Sequence, residues 1–198
     1  MAAATGVVEP PWPRSFRLKQ KPKGSRVLFS HDCFQGPRKL PPEVLCSDNV
    51  ATSEQLARMF LDQTVVGFDM EWVWPETEVL KGRVALIQVV SESKIALFHI
   101  GHHYGNTADV LIAPSLRALV EDRSILKTGQ SIMGDFHRLN KYFQLQTQGA
   151  LELSYLQTLL DQCRHNFETS YYPRGLKGLV EKYSPGYTLK KDEHMHQD

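Results

Sequence analysis

The 198-residue chain has few cysteines, no long apolar run and almost no net charge, and each shortage excludes a class of protein. Its three cysteines, Cys33, Cys46 and Cys163, are widely spaced and form no CxxC pair. This argues against a zinc ribbon or a disulfide framework and favours a reducing compartment. No apolar stretch approaches the ~18 residues of a membrane-spanning helix, so we expect no membrane partner. The first nine residues lack the basic and apolar regions of a secretory signal.

The small net charge hides an uneven distribution. Twenty-three basic and 22 acidic side chains give a formal charge of +1, which excludes a uniformly basic surface for coating nucleic acid but not a local basic patch. Residues 1–50 hold eight basic and four acidic side chains, so an excess of +4 there leaves −3 for the rest of the chain. The acidic excess therefore lies in the part that we expect to fold.

Residues 1–48 have the composition of a Pro-rich, basic leader that is mostly disordered. They contain seven of the eleven prolines and show no sustained hydrophobic period. The basic stretch from Arg14 to Arg26 is equally compatible with a solvated tail and with a nuclear or organellar address. Together with the cysteine usage, it predicts an intracellular protein and favours the nucleus over the cytoplasm or mitochondrion. We place the folded domain at residues 49–198.

The hydrophobic pattern of residues 49–198 predicts an α/β domain. Runs rich in β-branched and aromatic residues, joined by short connections, predict an antiparallel meander of three strands at 64–72, 83–90 and 95–100. Helical periodicity predicts a helix before the meander and four after it, at 53–61, 114–122, 134–143, 154–163 and 176–183. Short strands are expected at 124–128 and 151–153. This order predicts a mixed sheet with helices on its faces.

Two carboxylates lie side by side at the end of the first predicted strand. Because residues i and i+2 of a strand point to one face, Asp69 and Glu71 project together, next to Gly67, which has no side chain. Their mutual repulsion would be relieved by a divalent cation, and hard oxygen ligands suit Mg²⁺ or Mn²⁺. The alternative is that one or both carboxylates are simply exposed at a strand end.

Asp135 is a third candidate, because it begins a predicted helix directly after a short strand and the turn at 129–134. Free N–H groups and the helix dipole favour a carboxylate at that point, so for Asp135 taken alone an ordinary helix cap is the stronger explanation. It lies one position away from the apolar stripe of Phe136, Leu139 and Phe143. Asp135 can therefore face the rim of a cleft.

Four segments together resemble the DEDD-type 3′–5′ exonucleases, in particular the Werner-syndrome-protein type. The segments are VVGFDMEW at 65–72, GRVALIQV at 82–89, KTGQSIMGD at 127–135 and GLKGLVEKY at 175–183. They follow the family's order over roughly residues 50–192. The resemblance implies a ribonuclease-H-like fold and hydrolysis of DNA or RNA phosphodiesters from the 3′ end by a two-metal mechanism with Mg²⁺ or Mn²⁺. Such an enzyme would act in DNA repair or RNA processing.

The resemblance also implies roles for single residues. Asp69 would bind both metals, Glu71 one of them, and Asp135 the second one, largely through water. The candidates for contact with the substrate are Met70, Trp72, His137 and Arg138. For Trp72 the alternative to stacking on a base is packing in or beside the core, and for His137 and Arg138 the alternative is a solvated helix surface.

The third motif of the family, a tyrosine four residues before an aspartate, is absent from this sequence. None of the seven tyrosines has an aspartate at that spacing. We therefore expect the domain to be C-terminally incomplete, without the last catalytic carboxylate and the helix that carries it. The alternative function is a catalytically impaired or inactive exonuclease-like module that binds nucleic acid or another protein. A third reading is an unrelated α/β domain in which all three carboxylates are structural.

Overall fold

The computed structural model describes residues 17–19, 27–35, 40–75, 78–165 and 175–189. The strands, in chain order, are β1 (Arg17–Leu18), β2 (Val27–Leu28), β3 (Phe34–Gln35), β4 (Glu43–Ser47), β5 (Val65–Glu71), β6 (Leu86–Val90), β7 (Lys94–Phe98), β8 (Leu126–Gly129), β9 (Ala150–Glu152) and β10 (Tyr187–Thr188). The helices are α1 (Val50–Arg58), α2 (Leu80–Arg83), α3 (Ala108–Leu111), α4 (Pro114–Glu121), α5 (Ile132–Phe143), α6 (Leu153–Arg164) and α7 (Leu176–Tyr183), with short 3-10 turns at His31–Cys33 and Ile100–His102.

Six of the strands form one mixed sheet in the order β4-β7-β6-β5-β8-β9. Strands β5, β6 and β7 pair antiparallel, which confirms the predicted meander. Strand β4 pairs parallel with β7, and β8 pairs parallel with both β5 and β9. With helices packed on this sheet, the structure confirms the predicted α/β architecture. No helix in the described part of the chain is long and apolar enough to cross a membrane.

The structure differs from the sequence-based expectation at the predicted boundary at residue 48. Residues 43–47, which the sequence analysis assigned to the leader, form β4 at the edge of the main sheet. This strand forms because it pairs in register with β7, about 50 residues further along the chain, and such a partner leaves no local pattern. The two-stranded ribbon β1–β3 also lies within the leader, and a second ribbon pairs β2 of the leader with β10. Residues 1–16, 20–26 and 36–39, which include most of the basic stretch, lie outside the described residues.

The second predicted strand begins later than expected. Arg83, where the strand was expected to begin, is the last residue of the helical turn α2, and β6 begins at Leu86. Main-chain bonds still hold this turn against the end of β5, because Ala85 N donates to Glu71 O and Val73 N donates to Gly82 O. The prediction for residues 83–85 was therefore wrong, although their chain remains next to the carboxylate-bearing strand.

The core lies on one face of the central strand β5. Val66, Phe68 and Met70 alternate as buried residues along β5 and pack with side chains from α1, α4 and α5. The ring of Phe68 meets that of Phe136 in α5 edge to face, with centroids 5.7 Å apart. Because side chains alternate along a strand, Asp69 and Glu71 project from the opposite face.

Helix α6 has the reverse of the usual amphipathic arrangement. Its buried side chains are polar, and they are Ser154, Gln157 and Asp161. Its exposed side chains include four large apolar ones, Tyr155, Leu156, Leu159 and Leu160. The buried face meets α7, where the Tyr183 hydroxyl donates to Gln157 and the Lys182 ammonium pairs with Asp161. Polar contacts therefore contribute to holding α6 and α7 together.

A buried polar chain joins β4, α1 and the loop before α3. The Nδ1 of His103 lies 2.6 Å from the carbonyl oxygen of Leu111, so this nitrogen carries the proton. Its Nε2 accepts from the hydroxyl of Ser53 at 3.1 Å, and Ser53 in turn lies 2.8 Å from Ser47. The side chain of His103 is 1% exposed, and this burial lowers the pKa of its imidazole. The network holds His103 in the neutral form.

We expect acidification to remove stability through His103. Because its pKa is lower in the folded protein than in the unfolded chain, the unfolded state binds a proton first as the pH falls. The contribution is complete above the unfolded pKa of about 6.5 and is lost as the pH falls from there toward the folded value. Urea unfolding of the native protein and of His103→Gln between pH 7.5 and 5 measures the difference. His137→Gln, a change on an exposed helix surface, is the control, and equal slopes for all three proteins would contradict the assignment.

Candidate active site

The first part of the site is the end of β5, where both predicted carboxylates are exposed on one face. Asp69 lies opposite Gln88 of the antiparallel neighbour β6, and the Gln88 side-chain amide donates to Asp69 Oδ2 at 3.3 Å. This contact orients one oxygen of Asp69. Glu71 lies two residues further along the strand, on the same face. The prediction that the two side chains project together is confirmed.

The second part is the connection from β8 to α5, which passes very close to β5. A Cβ atom on Gly129 would overlap the carbonyl oxygen of Phe68, so the close approach requires glycine at this position. The chain then turns through Ser131, whose φ of 61° places it in the left-handed region. Helix α5 begins at the next residue and carries Asp135, which is 7% exposed, in its first turn. The close approach therefore brings the start of α5 to the carboxylate end of β5.

A fourth carboxylate, which the sequence analysis missed, joins this group from β9. Glu152 Oε2 accepts from the backbone N–H of Ile132, the first residue of α5, at 3.1 Å. Glu152 Oε1 accepts from the backbone N–H and the hydroxyl of Ser154 at 3.4 and 2.9 Å. A glutamate at the junction of a short strand and a helix was the available signal, but nothing local identifies Ile132 as its partner.

The charges of these groups act on one another. Asp69 and Glu71 reach the surface, but the surrounding protein shields part of each carboxylate from water. This partial burial raises the pKa of Asp69 and, followed by the charge of Asp69, that of Glu71. For Asp135, burial is the largest cause and the negative charges of Asp69, Glu71 and Glu152 add to it, so that its pKa rises from 3.8 to about 7. Arg138 opposes this rise without cancelling it. The site therefore holds negative charge for which the protein supplies too little positive charge.

This donor set fits a divalent cation. In the described part of the chain no three His, Cys, Asp or Glu residues form a preformed metal cluster. Even so, the charges of Asp69 and Glu71 act on Asp135, and a dication would relieve the repulsion that contributes to the raised pKa values of Glu71 and Asp135. Carboxylate oxygens are hard ligands of the type that Mg²⁺ and Mn²⁺ prefer.

An aromatic and guanidinium stack flanks the carboxylates. The guanidinium carbon of Arg138 lies 4.2 Å from the ring centroid of Trp72 and 5.3 Å from that of Tyr142. Its Nε donates to the carbonyl oxygen of Arg83 at 2.8 Å, and Arg83 itself donates to the Tyr142 hydroxyl at 3.3 Å. Arg138 therefore supports the ring of Trp72, which remains 39% exposed directly after Glu71.

The remaining substrate-contact candidates lie in different environments. His137 is exposed on the surface of α5, two residues after Asp135. Met70 is 3% exposed and belongs to the core cluster on the opposite face of β5. The prediction that Met70 contacts a substrate is wrong for its side chain, because the alternation of β5 directs it away from the carboxylates.

Comparisons with known proteins identify the family to which the chain belongs. A family model described as 3′–5′ exonuclease matches residues 46–197. The mouse (Mus musculus) bifunctional 3′–5′ exonuclease/ATP-dependent helicase WRN is 34% identical over 150 residues, which are 75% of this chain and 10% of the mouse protein. The chain thus spans about a tenth of the length of this curated relative.

Solved structures with the same fold include crystal structures of the EXD2 exonuclease domain. One is 26% identical with a TM-score of 0.50, and another, soaked in Mg, is 25% identical with a TM-score of 0.51. Each comparison covers 70% of this chain and 68% of the EXD2 chain. The six-stranded sheet with flanking helices is thus the ribonuclease-H-like exonuclease fold.

Proposed function

Because the chain belongs to the 3′–5′ exonuclease family, we propose that it hydrolyses nucleic-acid phosphodiesters from the 3′ end with two divalent cations held by Asp69, Glu71 and Asp135. The observation that carries the proposal is the close approach of the β8–α5 connection to β5 at Gly129, which brings the first turn of α5, with Asp135, toward Asp69 and Glu71, more than 60 residues away in the sequence. Carboxylates from two separate elements, at positions that match the family motifs, thus lie near enough for their charges to interact, which supports the proposal. Soaking of EXD2 crystals in Mg and Mn supports the choice of these cations.

Each side chain of the site has a role in this proposal. The cations, when bound, would activate water and stabilise the negative charge that develops on the phosphate. Asp69, Glu71 and Asp135 would hold the cations, and Gln88 would orient Asp69. The exposed face of Trp72 would stack against a base at the 3′ end, while the Arg138 guanidinium packs against the ring.

The second candidate function is an exonuclease-like module that binds nucleic acid without efficient cleavage. It is favoured by the absence from this sequence of any tyrosine with an aspartate four residues later. In that case the site would lack one carboxylate and the side chain that orients the attacking water. Such a module would still bind a divalent cation, because Asp69, Glu71 and Asp135 remain.

One experiment separates the two functions. The protein is incubated with a 5′-labelled single-stranded DNA or RNA oligonucleotide in Mn²⁺, and with EDTA in a parallel sample. The proposed function predicts stepwise shortening from the 3′ end that EDTA abolishes and that a blocked 3′ terminus prevents. Full-length oligonucleotide in every lane, together with Mn²⁺ binding by calorimetry, would contradict the enzyme and support the binding module. The ratio of the DNA and RNA rates identifies the preferred substrate.

A further inference from the structure

One carboxylate, that of Glu152, joins the beginnings of helices α5 and α6. Its Oε2 accepts from Ile132 N–H in α5, while its Oε1 accepts from Ser154 in α6. Helix N-termini have free N–H groups and a positive dipole end, and a carboxylate stabilises both. A shared carboxylate therefore fixes the two helices relative to each other.

Helix α5 depends on this contact more than an ordinary helix would. Its N-cap residue, Ser131, is left-handed and makes no side-chain hydrogen bond to the helix. Glu152 supplies the missing acceptor from a neighbouring strand. Asp135 lies three residues after Ile132, in the same turn, so whatever fixes Ile132 also fixes Asp135.

The sheet connects Glu152 to the other carboxylates. Glu152 lies opposite Gly129 in the β8–β9 pair, and Thr128 lies opposite Gly67 in the β5–β8 pair. Strand β5 then continues to Asp69. The sheet thus places Glu152 at a defined position relative to Asp69, and its bond to Ile132 places the first turn of α5 relative to both.

We propose that Glu152 is a positioning residue that holds Asp135 in place for cation binding opposite Asp69 and Glu71. This inference rests on the proposed function, since it assigns Glu152 a role in the same site. Glu152 acts on the site through α5, because its two oxygens are directed at the beginnings of the two helices, where they accept three hydrogen bonds.

The chain offers a matched control in Glu54. The Glu54 carboxylate accepts from the backbone N–H and the hydroxyl of Ser115, both at 2.7 Å, at the start of α4. It is therefore a glutamate that caps a helix from another element, as Glu152 does, but on a helix without a proposed cation ligand. If loss of a helix cap lowers the Mn²⁺ affinity only by destabilising the protein, substitution of either glutamate should lower it. If Glu152 positions Asp135, only substitution of Glu152 should lower it.

The experiment compares Mn²⁺ affinity by calorimetry in the native protein, Glu152→Ala, Glu152→Gln and Glu54→Ala. We expect the affinity of Glu152→Ala to fall by about 10- to 100-fold, as is usual for residues that orient metal ligands, and that of Glu54→Ala to stay native. Glu152→Gln should lie between them, because its single carbonyl oxygen still accepts from Ile132 but no longer serves both helices. Amide exchange of Ile132 should accelerate in Glu152→Ala and not in Glu54→Ala.

The possible outcomes separate this inference from the proposed function. Native Mn²⁺ affinity in Glu152→Ala would overturn the positioning role and leave the proposed function standing. An equal loss in Glu54→Ala would also overturn it, since the effect would then be general destabilisation. A native protein that binds no Mn²⁺ at all would overturn both.

Discussion

Asp69→Asn should reduce the exonuclease rate by at least about 10³-fold, or about 4 kcal/mol of transition-state stabilisation, while leaving the cation-free protein at least as stable as the native one. Asparagine has the same shape as aspartate but no negative charge to hold a cation. In the cation-free protein that charge is a cost, because it contributes to the raised pKa values of Glu71 and Asp135. A variant that loses activity without losing stability is typical of a residue kept for function.

The measurement for Asp69→Asn is the shortening of a 5′-labelled oligonucleotide in Mn²⁺, together with urea unfolding in EDTA. Glu43→Gln serves as the control, because Glu43 is an exposed carboxylate in β4 at the edge of the same sheet. The control should retain the native rate. A rate for Asp69→Asn within tenfold of the native rate would argue against a cation ligand at this position.

Asp135→Asn should stabilise the cation-free protein above pH 7 and have progressively less effect as the pH falls toward 4. The pKa of Asp135 is raised from 3.8 to about 7 in the folded state, so between these values the folded protein binds a proton that the unfolded chain releases. The native protein therefore loses stability as the pH rises through this window, and the loss is complete above about 7. A shift of about three pKa units corresponds to about 4 kcal/mol, an upper limit because asparagine must also be buried.

Urea unfolding in EDTA at pH 4.5, 6 and 8 measures this difference between the native protein and Asp135→Asn. Asp109→Asn is the control, since this carboxylate is exposed and pairs with Arg117 far from the site in sequence. Taking the difference between proteins removes the opposite contribution of His103, which both share. A difference that does not vary with pH would show that Asp135 is ionised at no cost in the folded protein.

Addition of Mn²⁺ should reverse the order of stability at pH 8. A cation that binds only the folded state stabilises it by mass action, and it requires the ionised form of its carboxylate ligands. The native protein should therefore gain more stability from Mn²⁺ than Asp135→Asn does. A larger gain for the native protein would show that the Asp135 carboxylate, which destabilises the cation-free protein at this pH, is needed to bind the cation.

The central part of the fold was predictable from the sequence because its determinants are local. The alternation in β5 directs Val66 and Phe68 to the core and Asp69 and Glu71 to the other face. The short connection between β6 and β7 favoured their antiparallel pairing, and the apolar stripe of α5 identified its buried face. The strand prediction was wrong where tertiary contacts outweighed local preference, as in residues 83–85. Main-chain hydrogen bonds to the end of β5 and the residues after it hold this segment outside strand β6.

The sequence by itself determined the pair of carboxylates on β5, the helix that carries Asp135, and the order of motifs that resembles the exonucleases. Only the tertiary structure decided that the charges of Asp69 and Glu71 act on Asp135, that Glu152 caps α5, that Arg138 packs on Trp72, and that residues 43–47 join the sheet. The physical reason is the range of the interactions. Backbone periodicity and capping act over a few residues and leave a pattern in the sequence, whereas each of these contacts joins segments that lie from about 20 to more than 60 residues apart.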